Sequence, residues 1–215
     1  MKAIDPVALA FALGLFALVP LLFVMTTSFL KIAIVLSLVR NALGVQQAPP
    51  NMAIYALALL LTAYVMAPVG SDIADIVSDG PEVTASVKTM LNLGRRGVEP
   101  LRVFLVRNSK SGQRQFFLNT AKKLWPPKLS DEATERDMLI VIPAFMVSEL
   151  TAAFEIGFLL FLPFVVIDLV ISNILMAMGM MMVSPVTISL PLKLFLFVMI
   201  DGWSRLIHGL IQTYI

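Results

Sequence analysis

Residues 138–202 are almost wholly apolar, yet they carry charged side chains. The charged residues are Glu149, Glu155, Asp168, Lys193 and Asp201. A charge inside an apolar run is costly unless it pairs with another group or faces water. A simple membrane anchor needs no such charges. The pattern therefore predicts helices that pack through polar faces, each charge with a partner.

The composition of the whole chain is that of a membrane protein. Its 215 residues are 59% apolar and 14% charged, with a mean hydropathy of +0.90. Soluble domains average roughly 45–50% apolar and about 25% charged residues. The net charge of +2 is too small to indicate a nucleic-acid partner. The chain has no cysteine, a single histidine and no glycine-rich phosphate motif, so we predict no enzyme activity, no cofactor, and neither a thiolate nor a histidine-centred metal site.

Four apolar segments are long enough to cross a bilayer, which takes about 20 helical residues. They are Pro6–Leu30, with a helical continuation to Val39, then Met52–Val69, Met138–Met182 and Leu190–Ile215. The first run is too long for a cleaved signal peptide, so we expect it to be retained. The third is too long for one crossing, and Pro143, Gly157 and Pro163 predict that it kinks or splits. The expected fold is all-α, with bent helical hairpins over residues 1–70 and 138–215.

The segment between the hairpins, residues 71–137, differs in kind. It holds eleven of the 16 basic and nine of the 14 acidic residues. The sequence predicts a turn and helix start at 79–81, a break at 94–97, helices over 99–107 and 114–124, and a further helix capped by Ser130. We therefore predict a small polar helical domain.

The charged side chains within the apolar segments have several possible roles. Glu149, Glu155 and Asp168 could be catalytic carboxylates or a proton relay, form ion pairs with Lys31, Arg40 and Lys193, conduct ions, or contact lipid headgroups. Because an unpaired buried acid costs several kcal/mol, pairing within or between subunits is favoured. Asp201, Arg205, His208 and Gln212 share one face of the last helix. That face could support acid/base chemistry around the histidine, but no nucleophile motif accompanies it, so an Asp–Arg pair on a packing face is favoured.

Five methionines cluster near the end of the third segment. They are Met176, Met178, Met180, Met181 and Met182. Gly179 interrupts the cluster and Ser184-Pro185 ends it, which favours a loop between helices over a regular buried stripe. Three roles fit thioether side chains: filling of a core, a Cu(I) site, and the flexible lining of a passage.

Three stretches resemble the FliP/SctR family of the bacterial type III export gate. They are RNALGVQQAPPNMAIYALALLLTAYVMAPV at 40–69, SELTAAFEIGFLLFLPFVVIDLVISNILMAMGMMMVSP at 148–185, and SLPLKLFLFVMIDGW at 189–203. Together they cover 83 of the 215 residues, in the order and at the spacing of the family. QQAPPNM and MVSPVTISLPLKL look closer to the virulence branch than to the flagellar branch. At Thr151 flagellar members usually carry a basic residue, so any contact made by that base is absent here.

The resemblance implies a subunit of a bacterial inner-membrane export gate. Such a subunit would assemble as a ring of about five copies with SctS- and SctT-type partners and an SctU-type switch protein, and would pass unfolded secreted proteins. Met176 to Met182 would form a gasket around the closed channel, and the polar side chains named above would join helices or subunits. The assembled gate would be raised toward the periplasm, so that neighbouring subunits instead of lipid cover part of the apolar surface. The alternatives are a flagellar export-gate homologue and an ion or small-molecule transporter; the latter predicts internal repeats, and none is visible between residues 6–69 and 138–215.

Overall fold

The computed structural model describes residues 6–45, 48–78 and 93–215, and over these residues the chain is helical with no strand. The predicted all-α class is therefore confirmed. The helices are α1 Pro6–Thr26, α2 Phe29–Ala42, α3 Asn51–Ser78, α4 Glu99–Arg107, α5 Ser111–Leu124, α6 Pro127–Ser130, α7 Met138–Ala177, α8 Pro185–Met199 and α9 Gly202–Gln212.

Two of these helices, α3 and α7, are long and apolar enough to cross a membrane. Two more spans are possible if each bent pair, α1 with α2 and α8 with α9, makes one crossing. By length and composition, the helices of the described residues thus allow two to four crossings, a range that includes the four predicted from hydropathy.

The long helices tolerate residues that were expected to end or split them. α3 continues through Pro68 and Gly70 to Ser78, so its predicted end near Val69 is wrong. α7 is one helix of 40 residues, so the predicted split at Pro143, Gly157 or Pro163 is also wrong. Each proline removes only one helical hydrogen bond, and the neighbouring turns keep theirs.

Two apolar segments that were predicted to be continuous helices are each divided into two helices, α1 with α2 and α8 with α9. α1 gives way to α2 at Thr27-Ser28, where the hydroxyls of Thr26 and Thr27 donate to Leu22 O and Phe23 O, each at 2.7 Å. Such back-bonding competes with the backbone and bends helices. The predicted single helix over 190–215 is divided by a 62° bend between α8 and α9. At this bend Asp201 adopts a left-handed conformation with φ of 54°, which Asp tolerates better than most residues.

The described residues form two compact units. The first comprises the described parts of Met1–Leu30 and Val69–Val147, and the second those of Lys31–Pro68 and Ser148–Ile215. The division into 1–70, 71–137 and 138–215 stays a prediction.

In the first unit, the polar segment folds onto the start of α7. Leu105, Val141 and Phe145 form one small core, and Ala121, Ala133 and Ile140 form another. α4 has the predicted bounds, and α5 ends before Trp125 as expected.

Other details of the polar segment differ from the sequence analysis. Residues 93–97 are helical where a break was expected. Ser130 ends α6 instead of capping a new helix, because the next helix begins only at Met138. The predicted turn at 79–81 lies outside the described residues.

In the second unit, α2 packs against α7 through a glycine. A Cβ atom added at Gly157 would lie 2.2 Å from Leu38 Cδ1 and 3.3 Å from Leu38 Cβ. Glycine at this position lets the two backbones approach closely, as small residues do between membrane helices.

Candidate functional site

The methionine loop, defined here as residues 176–182, begins at the end of α7 and continues into the connection to α8. Gly179 has φ of 74°, its N–H donates to Met176 O at 3.0 Å, and Met180 N–H donates to Leu175 O at 2.9 Å. This pair of bonds is the Schellman arrangement, in which a left-handed glycine ends a helix. Pro185 then opens α8, a position that suits its fixed φ. Gly179 therefore ends α7, and Pro185 starts α8.

The methionine side chains project from the chain instead of filling its core. Met176, Met178 and Met180 are exposed, Met181 is 85% exposed, and Met182 is fully exposed. Large exposed apolar patches mark contact surfaces. The five exposed methionines therefore form a surface that can contact another subunit, lipid or a polypeptide in transit.

The two arms that carry this loop pair in a regular antiparallel register. Phe164 of α7 meets Phe197 of α8 with ring centroids 6.3 Å apart. One turn further along each helix, toward the loop, Asp168 meets Lys193. Both pairs lie on facing sides of the two helices, since residues four apart share a helix face. The hairpin thus has an aromatic contact and an ionic contact in sequence.

The ionic contact joins three helices. Lys193 Nζ donates to Asp168 Oδ2 at 2.6 Å and to Ala42 O at 3.4 Å. Ser189 Oγ donates to Asp168 Oδ1 at 2.6 Å. Ala42 is the last residue of α2, and a cation is favourable at a helix C-terminus. The positive charge of Lys193 therefore neutralises the Asp168 carboxylate and also stabilises the C-terminal end of α2.

A second ionic cluster lies deeper in the same unit. Lys31 Nζ donates to Glu149 Oε1 at 3.0 Å, and the Tyr214 hydroxyl donates to Glu149 Oε2. Lys31 Nζ also lies 3.7 Å from the centroid of the Tyr214 ring, a cation–π contact. The Lys31 and Glu149 side chains are only 4% and 2% exposed. Both carboxylate oxygens are satisfied, as a buried charge requires.

Tyr214 and Ser189 belong to these clusters but were not predicted from the sequence. The partners of Tyr214 are 65 and 183 positions away, so no helical spacing could have revealed its contacts. An aromatic residue with a polar group near a polar face was the only available signal.

The remaining predicted polar residues lie elsewhere. Arg40 Nη1 donates to Asn51 Oδ1 and to Pro49 O, across the turn between α2 and α3. Glu155 is exposed on α7. Asp201 accepts a hydrogen bond from Ser204 Oγ at 3.0 Å.

The face of α9 that was predicted to carry an Asp–Arg pair is solvent-accessible. Asp201, Arg205, His208 and Gln212 are all exposed. Within the described part of the chain no ion pair joins Asp201 to Arg205. Over the same residues, no three His, Cys, Asp or Glu side chains gather as a metal site would require.

Comparison with known proteins identifies the family to which this chain is similar. The model of the FliP family matches residues 12–210. "Yop proteins translocation protein R" of Yersinia pestis is 53% identical over 210 residues, covering 98% of this chain and 97% of that protein. "Harpin secretion protein HrcR" of Erwinia amylovora is 46% identical and "Virulence protein YscR" of Salmonella typhimurium is 44% identical, with the same coverage. The matched residues include Asp168 and Lys193, Lys31 and Glu149, and the methionine loop, and the chain belongs to the FliP family.

Proposed function

We propose that this chain is the export-gate subunit of a type III protein secretion system of the injectisome branch. One observation carries the proposal: the chain matches virulence-associated secretion proteins almost from end to end. Its apolar helices fit an inner-membrane protein. Its role is structural and not enzymatic.

The subunit works as part of a ring of about five copies, together with SctS- and SctT-type gate subunits and an SctU-type switch protein. The surface of α7 supports this proposal, because Phe154, Phe158 and Leu159 are exposed beside Glu155. An apolar helix face that also carries a carboxylate suits a protein neighbour better than lipid. Subunit contacts of this kind would also allow the gate to be raised toward the periplasm.

The methionine loop forms the narrowest ring of the protein-conducting channel. Unbranched thioether side chains are flexible and polarizable, so they pack against one another and against varied surfaces. A ring of such side chains closes the passage to ions and parts for an unfolded secreted protein. The exposure of the loop in the single chain supports this role.

Native mass spectrometry tests the assembly. The chain is purified in mild detergent, alone and after coexpression with its SctS- and SctT-type neighbours. We expect a ring of about five copies, with the partner subunits added in the second preparation. A homogeneous, folded monomer in both preparations would contradict the proposal.

A further inference from the structure

We propose that Asp168, Ser189 and Lys193 form a clamp that sets the position of the methionine loop. The clamp is defined by the two hydrogen bonds that Asp168 accepts, from Ser189 Oγ and from Lys193 Nζ, both at 2.6 Å. This inference rests on the proposed function of the loop as a constriction, and it identifies the residues that regulate it.

The clamp is placed to control the tip of the hairpin. Asp168 is nine residues before Ala177, the end of α7, and Lys193 is eight residues after Pro185, the start of α8. At 1.5 Å per residue, the arms extend about 13 Å and about 12 Å beyond the clamp. The arms are therefore matched in length, and a small change in their separation at the clamp moves the loop between them.

The clamp also ties the hairpin to a fixed support. Lys193 Nζ reaches the carbonyl oxygen of Ala42, and the Leu190 side chain lies 3.7 Å from a Cβ position built on Gly44. Gly44 has φ of 79° and follows the C-terminal end of α2. One face of α8 thus bears on the end of α2 while the same lysine holds α7.

The two ionic clusters differ in a way that assigns them different roles. Glu149 is 2% exposed, whereas the side chain of Asp168 is 36% exposed, although its lysine is only 5% exposed. Water can solvate the Asp168 carboxylate when the arms separate, which lowers the cost of opening. The Glu149 cluster has no such access. The hairpin therefore opens at the clamp while the deeper cluster stays closed.

The test separates positioning from folding with a pair of variants. Asp168→Asn leaves the enclosed Lys193 without its carboxylate, so we expect a loss of assembled gate. The double variant Asp168→Asn with Lys193→Met removes both charges, and replacing a whole pair is better tolerated than breaking it. We expect the double variant to assemble in normal yield but to hold its loop loosely.

Loop position is measured with a spin label at Val186→Cys, which is half-exposed near the loop. The chain has no other cysteine, so labels on different copies of the assembled gate report one set of distances. The double variant should give a broader distribution, shifted to longer distances than wild type. Arg136→Gln, which removes an exposed ion pair with Glu99 in the other unit, is the control and should change nothing.

An assembled double variant with the wild-type distribution would show that the pair supports folding only, and would overturn the clamp. If the double variant does not assemble, Ser189→Ala decides, because it removes only the neutral hydroxyl that reaches Asp168 Oδ1 and Val186 O and leaves the Asp168–Lys193 ion pair in place. It should broaden the distribution to a smaller extent, and an unchanged distribution would overturn the proposal. The label distances test the clamp, whereas ion leakage tests the constriction. A constriction that fails its own test therefore leaves the result for the clamp readable.

Discussion

At the scale of single residues, the deep ionic cluster shows how this chain accommodates charge in an apolar interior. Glu149 receives one donor at each oxygen, from Lys31 and Tyr214, and Lys31 also rests on the tyrosine ring. Satisfied in this way, the charges specify how three segments meet. Because these contacts occupy the ammonium group and both carboxylate oxygens, we expect the cluster to act in folding and assembly.

We expect Glu149→Ala to reduce the yield of assembled gate sharply. The change leaves Lys31 charged and enclosed, at a cost of roughly 3–5 kcal/mol for a broken buried pair. Tyr214→Phe should cost less, about 1.5–3 kcal/mol, because only a hydrogen bond to a charged group is lost while the ring stays on Lys31. Quantitative native electrophoresis of the gate measures both effects.

The double variant Lys31→Met with Glu149→Leu is the matched control, since it leaves no unpaired charge. It should recover much of the lost assembly. Normal yield of the Glu149→Ala gate together with arrested secretion would instead assign the carboxylate a role in transport.

At the scale of helices, the structure is decided by a few close approaches and breaks. α2 and α7 approach closely at Gly157, and the bend before α9 depends on the left-handed Asp201. Gly202 adds to this bend, because a Cβ atom there would lie 2.4 Å from the ring of Phe197. Glycines thus determine where α2 meets α7 and where the chain bends between α8 and α9.

We expect Gly157→Ala to lower the melting temperature of the purified chain. The added methyl group would overlap Leu38, whose Cβ and Cγ at 3.3 Å leave little room even if Cδ1 rotates away. Overpacking of this kind costs typically about 1–3 kcal/mol. Thermal unfolding followed by circular dichroism measures the effect.

Gly209→Ala provides the comparison, since a Cβ atom there meets nothing within 4 Å and alanine is the better helix former. Its melting temperature should equal or exceed that of wild type. Equal melting temperatures for the two variants would show that the contact between α2 and α7 can relax without cost.

At the scale of the whole molecule, composition and periodicity predicted the fold class but not the details of its helices. Apolar runs predicted the long helices, and Gly179 with Pro185 predicted the connection at the methionine loop. Prolines were overvalued as breakers, because a long helix with satisfied neighbouring turns absorbs them, as at Pro68 and Pro163. Hydroxyls at Thr26 and Thr27, and the Asp201-Gly202 pair, broke helices that hydropathy reads as continuous.

The candidate site was only partly predictable for a physical reason. The charged residues stood out because they are costly in apolar runs. Their pairing depends on contacts between residues up to 118 positions apart, which no local pattern encodes. Tyr214 and Ser189 were missed because neither is unusual in its own segment. Contacts between subunits remain a prediction for the same reason.

The central claim is that the methionine loop seals a protein-conducting channel, and conductance of the coexpressed gate in planar bilayers tests it most directly. Met180, Met181 and Met182 are replaced together by Ala, with replacement by Leu as the control of similar volume. We expect the Ala gate to assemble normally and to show higher closed-state conductance than wild type, with the Leu gate close to wild type. Equal conductance of the Ala and wild-type gates, with intact assembly, would contradict the account and place the constriction elsewhere.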